Sequence, residues 1–339
     1  MEIPMRAIGF KTSHPITETD ALIEFEMKDP TPGANDLLVR VKATSINPAD
    51  AKIRRGSAKG TVREEPRILG YDAVGIVERI GGSVEGFKIG DRVWYAGDVT
   101  RPGANAELQA VDSRVAAHAP NSLSDVEAAV MPLTTLTGWE AIFDRLRIDP
   151  SEKKTILIIG GAGGVGSITT QIAKTTTNLT VIATASRPET ESWAKKMGAD
   201  HVANHRDLVN SVKALGFDTV DYIFNTADTA GHWDAMVELI APQGMISLIV
   251  EFDGGVDLAK LQGKSAGFVW ELMFTRTIHQ TKDIDRQRDI LTQMAKLVDE
   301  GRVQTTLTET LQGFDPKTLI EAHAKIESGR SIGKIGIAY

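Results

Sequence analysis

A glycine-rich turn after an apolar segment carries the most specific chemical signal in this sequence. Gly161, Gly163 and Gly166 have the spacing G-x-G-x-x-G, directly after the apolar run 155–159 and at the start of a predicted helix. In that context the turn binds the pyrophosphate of a dinucleotide, whereas the alternative is an ordinary glycine-rich loop. The glycines allow a tight turn, a close approach of backbone N–H groups to phosphate, and close packing of helix on strand. The predicted cofactor contacts are Gly161, Gly163, Gly164, Val165 and Gly166.

The residues after the second predicted strand indicate which dinucleotide binds. A site for NAD needs an Asp or Glu about 20 residues after the glycines, where the carboxylate holds the ribose 2′-hydroxyl. The segment 184–188 has no carboxylate before Glu189 and carries Ser186 and Arg187 instead. Because a guanidinium binds phosphate through paired hydrogen bonds, we predict NADPH as the cofactor, with Ser186 and Arg187 at its 2′-phosphate. The alternative is that Arg187 is a solvated loop residue.

A parallel sheet must position these groups, and the second half of the chain has the pattern for one. Apolar runs alternate with helical segments, which predicts a doubly wound α/β domain. The predicted strands are 155–159, 179–184, 220–225 and 245–250, and the predicted helices include 165–174 and 189–197. The first 130 residues contain short strands separated by Gly and Pro, which indicates a barrel or sandwich. A strand at 333–337 is predicted to return to this first domain.

Composition excludes several classes of function. The 339 residues carry a formal net charge of −7 and show no dense basic run, which disfavours a broad nucleic-acid surface. The absence of cysteine excludes disulfides, thiolate nucleophiles and thiolate-bound metal. There is no basic-then-apolar leader and no apolar run of about 20 residues, so we expect a cytoplasmic protein with neither membrane nor nucleic acid as a partner.

Several further segments, taken together with the glycine turn, resemble one known superfamily. They are Asn47-Pro48-Ala49-Asp50-Ala51-Lys52, 70–75, 90–93, 136–139 and 198–202. The chain resembles the medium-chain dehydrogenase/reductase superfamily, in its quinone oxidoreductase branch and the subgroup called zinc-type alcohol dehydrogenase-like. The resemblance implies an α/β fold with two domains: a discontinuous GroES-like β-barrel catalytic domain at 1–131 and 271–339, and a Rossmann NADP-binding domain with a doubly wound parallel sheet at 132–270.

The positions that bind catalytic zinc in metal-dependent members of this superfamily hold other residues here. By resemblance, Asn47 stands at the first Cys, Tyr71 at the His, Asp72 at the neighbouring Glu, and Leu133 near the second Cys. Asn, Tyr and Leu do not form the expected tetrahedral site, and the four-cysteine structural lobe is also missing. We therefore expect an enzyme without metal. The alternative is an alcohol dehydrogenase with a metal site built from other residues.

Hydride transfer without metal favours an acceptor that delocalises the developing charge, so we expect reduction of a quinone or an enone. The predicted catalytic residues are Asn47, Lys52 and Tyr71. By resemblance Lys52 reaches the ribose beside the nicotinamide, while Tyr71 donates a hydrogen bond to an acceptor oxygen. Asp50 and Asp72 are interpreted as structural partners, because nothing in the sequence suggests a raised pKa.

The resemblance supplies four further cofactor contacts, namely Thr137, His205, Asn225 and Lys334. It also implies a homodimer, and we expect the seam at an exposed sheet edge near 245–252 because unpaired strand edges invite pairing. A non-enzymatic alternative is an NADPH-binding sensor or interaction protein.

Overall fold

The computed structural model describes residues 4–56 and 62–339. Its strands are β1 Met5–Phe10, β2 Ile23–Met27, β3 Asp36–Ser45, β4 Arg67–Ile68, β5 Ala73–Ile80, β6 Arg92–Tyr95, β7 Leu108–Asp112, β8 Ala116–His118, β9 Thr155–Ile159, β10 Thr180–Thr184, β11 His201–Ala203, β12 Val220–Asn225, β13 Ile240–Leu248, β14 Gly267–Trp270, β15 Leu307–Gln312 and β16 Lys334–Ala338.

The helices begin with α1 Pro48–Gly56, which the gap in the described residues follows. The others are α2 Asp125–Ala129, α3 Pro132–Trp139, α4 Gly164–Thr176, α5 Pro188–Lys196, α6 Leu208–Ala214, α7 Thr229–Leu239, α8 Thr275–Ile278, α9 Arg286–Asp299 and α10 Pro316–Glu327. A π-helical segment, Glu140–Arg145, follows α3. Ser124 and Glu127 form a capping box at the start of α2. None of the helices in the described ranges is long and apolar enough to cross a membrane.

The chain divides into two compact units. The first unit comprises Met1–Leu133 and Phe274–Tyr339 and is rich in antiparallel strands. One of its sheets has the strand order β15-β16-β3-β5-β6-β8, with β7 also paired to β3, and a smaller sheet has the order β2-β1-β4. The predicted C-terminal strand exists as β16, and it pairs antiparallel with β3 through Gly336 and Ser45. The end of the chain therefore completes a sheet begun by residues 36–45.

The second unit, Thr134–Met273, contains a six-stranded parallel sheet. Its strand order is β11-β10-β9-β12-β13-β14, with β9 at the centre. The apolar runs predicted as strands form these buried strands, and helices α4 to α7 connect them. Leu157, Ile223 and Ile246 lie fully buried in one core cluster. The doubly wound parallel sheet predicted from the alternating pattern is confirmed.

The edge of this sheet differs from the expectation. Segment 245–252 was expected at an exposed edge, but β13 lies inside the sheet because β14 pairs with it, from Met245 with Gly267 to Leu248 with Trp270. The sequence signal for β14 is weak, since the strand has only four residues and alternating partial exposure. This edge of the sheet is therefore β14, and the expectation that 245–252 forms an exposed edge is wrong.

Candidate functional site

The glycine turn of the second unit has the close contacts that only glycine permits. A Cβ atom at Gly161 would lie 2.7 Å from the Ala183 Cβ, and one at Gly166 would lie 2.3 Å from the Gly160 carbonyl oxygen. By contrast, a Cβ at Gly163 would lie 3.4 Å from that oxygen, which is ordinary contact. Gly161 and Gly166 thus hold strand β9, strand β10 and helix α4 together. Gly163 is the N-cap of α4 in an extended conformation.

Gly160, which the sequence pattern did not single out, makes the turn itself. Its φ angle is +83°, in the left-handed region that glycine tolerates. Its N–H donates to the Thr184 hydroxyl at 3.0 Å, and a Cβ here would lie 2.4 Å from the Thr226 Oγ1. The Thr226 hydroxyl in turn donates to the Ile159 carbonyl at 2.8 Å. The carboxyl ends of β9, β10 and β12 are therefore joined at one edge, where ligands of open α/β sheets bind.

This edge fits the pyrophosphate of a dinucleotide. The first N–H groups of α4, at Gly164, Val165 and Gly166, belong to the helix turn that has no partner within the helix. The partial positive charge of the helix N-terminus favours an anion there. The turn can take this form only with glycine at 161 and 166, because a Cβ there would clash with Ala183 or with the Gly160 carbonyl oxygen. A bound nicotinamide dinucleotide would be held by this turn and would supply the hydride of a redox reaction.

Arg187 begins the segment after β10, at the position predicted for a 2′-phosphate. Its Nε lies 3.1 Å from the Glu189 Oε1, and both side chains are partly exposed. Its backbone N–H donates to the Thr190 hydroxyl at 3.1 Å, which fixes the start of α5. Ser186 beside it is half-buried. A phosphate that binds Arg187 must therefore compete with Glu189 for the guanidinium.

The remaining predicted cofactor residues of this unit have different surroundings. The buried Asn225 amide is engaged in its own turn, because Nδ2 donates to the Ala227 carbonyl at 3.0 Å and to the Thr229 hydroxyl at 3.1 Å. His205 is exposed, and its ring lies 6.3 Å from that of His232. Partial burial and the nearby His232 and Arg206 lower the pKa of His205. Thr137 is buried on α3. Contacts of these residues with the cofactor stay predictions.

A buried polar network occupies the first unit, around residues that the resemblance placed at a metal site. The Lys334 ammonium donates to the Ile46 carbonyl at 2.9 Å, to the Asn47 Oδ1, and to the Asp72 Oδ2 at 3.2 Å. The Asn47 Nδ2 donates to the same Asp72 oxygen at 2.8 Å. Lys334 was predicted as a cofactor contact, but in the structure its Nζ donates inside this unit. That assignment stays a prediction, which would require one of these bonds to break.

Asp72 is the acceptor on which the network converges. In addition to Asn47 and Lys334, the Ser45 hydroxyl donates to its Oδ2 at 2.7 Å, and the Leu133 backbone N–H donates to its Oδ1 at 2.7 Å. The carboxylate is fully buried. Burial lowers the pKa of Lys334, and the charge of Asp72 opposes that effect. Asp72 is thus the structural partner that the sequence indicated.

The pKa of Asp50 is raised, which was not expected from the sequence. Its oxygens accept from the Gly70 N–H at 2.9 Å and from the Asn47 N–H at 3.0 Å, which joins the start of α1 to residue 70. Burial nevertheless raises its pKa to about 6, and the two backbone hydrogen bonds oppose that effect. This raised pKa is not visible in the sequence, because it arises from burial that depends on the whole unit.

Tyr71 has a buried hydroxyl that makes no well-aligned hydrogen bond among the described residues, although the Arg67 guanidinium is close enough to act on it and to oppose the rise in its pKa. The ring packs edge-on against Phe274, with centroids 5.5 Å apart. Burial raises the pKa of Tyr71, and the nearby Asp50 charge adds to the effect, so the phenol remains a donor at neutral pH. Asn47 Nδ2 lies 3.4 Å from the Tyr71 carbonyl oxygen. Lys52 is half-buried on α1, the helix that Asn47 precedes.

The residues at the metal-like positions do not fit a zinc ion. The Asn47 and Asp72 oxygens already accept from an ammonium, Leu133 presents a backbone donor, and the Tyr71 phenol keeps its proton. Zinc prefers thiolate, imidazole and free carboxylate ligands. Across 4–56 and 62–339 there is no group of three or more His, Cys, Asp or Glu residues that could hold a metal ion.

Comparisons with known proteins identify both parts of the chain. Residues 33–122 match the model of the alcohol dehydrogenase GroES-like domain, and residues 197–335 match that of the zinc-binding dehydrogenases. A zinc-type alcohol dehydrogenase-like protein of Staphylococcus aureus strain MRSA252 is 44% identical over 98% of this chain and 99% of its own length. The 2-methylene-furan-3-one reductase of Solanum lycopersicum is 27% identical, over 89% of this chain and 71% of its own.

Solved structures show the same relationship. A putative zinc-dependent alcohol dehydrogenase of Rhizobium etli CFN 42 has a TM-score of 0.95 and 44% identity, and the match covers 99% of this chain and 98% of that one. The Escherichia coli quinone oxidoreductase complexed with NADPH has a TM-score of 0.81 and 25% identity, with 98% and 100% covered. The predicted combination of a GroES-like domain with a Rossmann sheet is confirmed.

Proposed function

The chain belongs to the medium-chain dehydrogenase/reductase superfamily, among the zinc-type alcohol dehydrogenase-like proteins, and from that premise we propose that this oxidoreductase uses NADPH to reduce a quinone or an enone without a metal ion. The observation that carries the proposal is the buried hydroxyl of Tyr71, which makes no well-aligned hydrogen bond within 4–56 and 62–339 and has the Arg67 guanidinium nearby. An unpaired donor of this kind costs free energy unless a ligand acceptor satisfies it. A carbonyl oxygen of a quinone or an enone supplies that acceptor.

A phenol donor suits a delocalised acceptor. Hydride addition to a quinone or to the β-carbon of an enone places the negative charge on an oxygen that shares it with a conjugated system. One neutral hydrogen-bond donor stabilises such an anion, whereas an isolated alkoxide normally needs a metal ion or a stronger acid. One proton from solvent then completes a hydroquinone or a saturated ketone, and NADP⁺ is the other product.

The other predicted catalytic residues divide into two roles. Lys52 lies on α1, and we assign it to the ribose of the cofactor, where its charge and length give it reach. Asn47 uses both amide hydrogens and its carbonyl oxygen within the buried network, so we assign it to positioning. It holds the Tyr71 backbone through Nδ2 and the Lys334 ammonium through Oδ1.

Two comparisons support the choice of cofactor and acceptor. The Escherichia coli quinone oxidoreductase was solved with NADPH, and the name of the Solanum lycopersicum relative describes an enone as its substrate. In this chain, Ser186 and Arg187 occupy the position where NAD-selective turns carry a carboxylate. These features favour reduction of conjugated carbonyl compounds over oxidation of simple alcohols.

A screen of NADPH oxidation tests the proposal. Quinones, enones, aldehydes and alcohols would each be assayed with and without prolonged chelation, with NADH in parallel. We expect turnover with quinones or enones that chelation leaves unchanged. Activity confined to alcohols and restored only by zinc would favour a metal-dependent alcohol dehydrogenase. NADPH binding without turnover of any acceptor would favour a sensor.

We also propose that the chain forms a homodimer through β14 rather than β13. Strand β14 ends the sheet, and Trp270 and Leu272 beside it are 44% and 52% exposed. An exposed apolar strand edge favours pairing with a second copy. Light scattering at micromolar concentration should give twice the chain mass, and Trp270→Lys should shift it toward a monomer. A monomeric wild-type chain would refute the dimer.

A further inference from the structure

Lys334 is a buried cation at the first residue of β16. Its side chain is 4% exposed, and the Asp72 side chain that it faces is fully buried. Three acceptors surround the Nζ atom, from Ile46, Asn47 and Asp72. A neutral amine has two N–H donors, whereas an ammonium has three. The three contacts therefore require the charged form of the side chain.

The ammonium joins segments that are distant in the sequence. Lys334 precedes the end of the chain by few residues, while its acceptors lie in the connection from β3 to α1 and just before β5. Asn47 uses its remaining amide hydrogens for Asp72 and for the Tyr71 carbonyl oxygen. The orientation of the Asn47 amide is thus set by the cation on one side and the carboxylate on the other. The backbone that carries Tyr71 and the start of α1 is held by the same bonds.

The same oxygens are the ones that a divalent cation would need. The Ile46 carbonyl, the Asn47 Oδ1 and the Asp72 Oδ2 form an all-oxygen set, which is the donor type that Mn²⁺ and Mg²⁺ accept. Each of these oxygens is within hydrogen-bond distance of Nζ. A metal ion and the Lys334 ammonium therefore cannot occupy this set at the same time.

We propose that Lys334 is a built-in cation that takes the place of a metal ion at Asn47 and Asp72, positions the backbone of Tyr71, and excludes divalent metal from these oxygens. The positioning of Tyr71 rests on the function proposed above, whereas the cation role does not. This chain would then be a zinc-type relative in which a covalently attached ammonium replaces the ion. Lys334 acts through Asn47 and Asp72 and is a positioning residue.

A double-mutant cycle tests the charge pairing. Lys334→Met keeps the length of the side chain but leaves Asp72 as an uncompensated buried carboxylate, and we expect the thermal midpoint to fall by roughly 10 °C. Asp72→Asn leaves the ammonium without its partner, and a loss of similar size is expected. The double variant Lys334→Met/Asp72→Asn should recover at least half of either loss. Losses that simply add in the double variant would refute the pairing.

Exchange of the cation tests the replacement of a metal. Wild-type chain, Lys334→Met and the double variant would be titrated with Mn²⁺, with free metal counted by electron paramagnetic resonance and the thermal midpoint followed. We expect only Lys334→Met to bind about one Mn²⁺ per chain and to regain part of its lost midpoint. An equal response of all three chains, or a wild-type Mn²⁺ site that Asp72→Asn removes, would overturn the proposal.

A kinetic measurement separates positioning from general stability. At a temperature well below the midpoint of every variant, Lys334→Met should lower kcat about ten-fold with the KM for NADPH changed less than two-fold, because the cation acts on the side of Tyr71. An unchanged kcat would refute the positioning of Tyr71. The thermal and Mn²⁺ measurements need neither cofactor nor acceptor. If the proposed redox function is wrong, the chain will show no turnover. The recovery of the thermal midpoint in the Lys334→Met/Asp72→Asn double variant will still be observed.

Discussion

The two units of this protein create their candidate sites by different physical means. In the second unit, the site is built mainly from backbone groups, namely a glycine turn and the first N–H groups of α4. Threonine hydroxyls join the carboxyl ends of the three parallel strands around it. In the first unit, the site consists of buried polar side chains that are nearly or fully inaccessible to solvent. They are Asp50, Asp72, Lys334 and the Tyr71 hydroxyl.

The difference teaches which perturbation each unit resists. A backbone site fails when an added carbon atom fills the space of the ligand or of a neighbouring strand, and it is insensitive to pH. A buried-charge site tolerates no loss of a partner and responds to protons, because the cost of an unpaired buried charge is several kcal/mol. Steric substitutions in the second unit and charge or pH changes in the first should therefore produce the large effects.

The largest expected effect comes from a single carbon atom in the glycine turn. In Gly166→Ala, the new Cβ would lie 2.3 Å from the Gly160 carbonyl oxygen and 2.7 Å from the Gly161 Cα. Backbone atoms cannot move aside as a side chain does, so we expect NADPH affinity to fall 100-fold or more, about 3 kcal/mol. Isothermal titration calorimetry measures the affinity, and circular dichroism checks that the chain is folded.

Gly163→Ala is the matched control. The added Cβ would meet the same Gly160 oxygen at 3.4 Å, and the residue has an ordinary φ of −75°. Its affinity for NADPH should remain within a few-fold of wild type. If the two alanine variants bind NADPH equally well, the binding site does not depend on close packing at Gly166. The proposed difference between a backbone site and a buried-charge site would then be refuted.

The sequence predicted the second unit better than the first, for a physical reason. The turn, the central strands and the start of α4 depend on neighbours within a few residues, so their spacing is visible in the chain. Gly160 escaped because its positive φ depends on the turn geometry rather than on the G-x-G-x-x-G spacing. Strand β14 was not predicted because four residues are too few for an alternating pattern to stand out in the sequence.

The network of the first unit depends on contacts across most of the chain. Lys334 and Asn47 are separated by 287 residues, and Asp72 meets Leu133 across 61 residues. The return of the C-terminal strand and the structural role of Asp72 could be predicted from the sequence. The ammonium that this strand places beside Asn47, and the burial that raises the pKa of Asp50, could not be predicted in this way. These outcomes depend on three-dimensional packing, which spacing does not encode.

The next prediction concerns Arg187, a charged side chain in a site that is otherwise built mainly from backbone groups. Arg187→Ala removes a charge-assisted contact, and NADPH affinity should fall about 10- to 100-fold, roughly 1.5–3 kcal/mol, while NADH affinity changes little. Glu189→Gln is the matched control, because it releases the guanidinium from its 3.1 Å partner. That variant should bind NADPH a few-fold more tightly. An equal loss of both cofactors in Arg187→Ala would exclude the 2′-phosphate contact.

Acid should affect the first unit through His323. Burial lowers the pKa of His323 to about 3, and the charge of Arg54 adds to the effect. The neutral ring is favoured in the folded state, so stability is complete above the unfolded pKa near 6.5 and is lost as pH falls below it. At pH 5 this loss is about 2 kcal/mol.

The comparison of wild type with His323→Leu isolates this effect from Asp50, whose raised pKa acts in the opposite direction. The folded state favours the protonated Asp50, so its contribution grows as pH falls from about 6 toward 4. Both chains share that contribution. Between pH 7 and pH 5, the stability of wild type relative to His323→Leu should therefore decrease by about 2 kcal/mol in urea unfolding. A difference that stays constant with pH would show that His323 does not titrate as a buried neutral ring.

The smallest expected effect tests the Tyr71 hydroxyl. In Tyr71→Phe the ring can keep its edge-on contact with Phe274, and only the buried hydroxyl is removed. Because a donor used in the transition state affects kcat and kcat/KM together, both should fall about ten-fold with quinones and enones alike. The loss is modest since the acceptor anion is delocalised and water can substitute as a donor. Lys52→Met should instead raise the KM for NADPH with kcat nearly unchanged.

The unfolding free energy of Tyr71→Phe should be equal to or above that of wild type, because a buried unpaired group has been removed. A stabilised variant with unchanged kinetics would show that the Tyr71 hydroxyl is buried without a catalytic role. The candidate site of the first unit would then have to lie elsewhere.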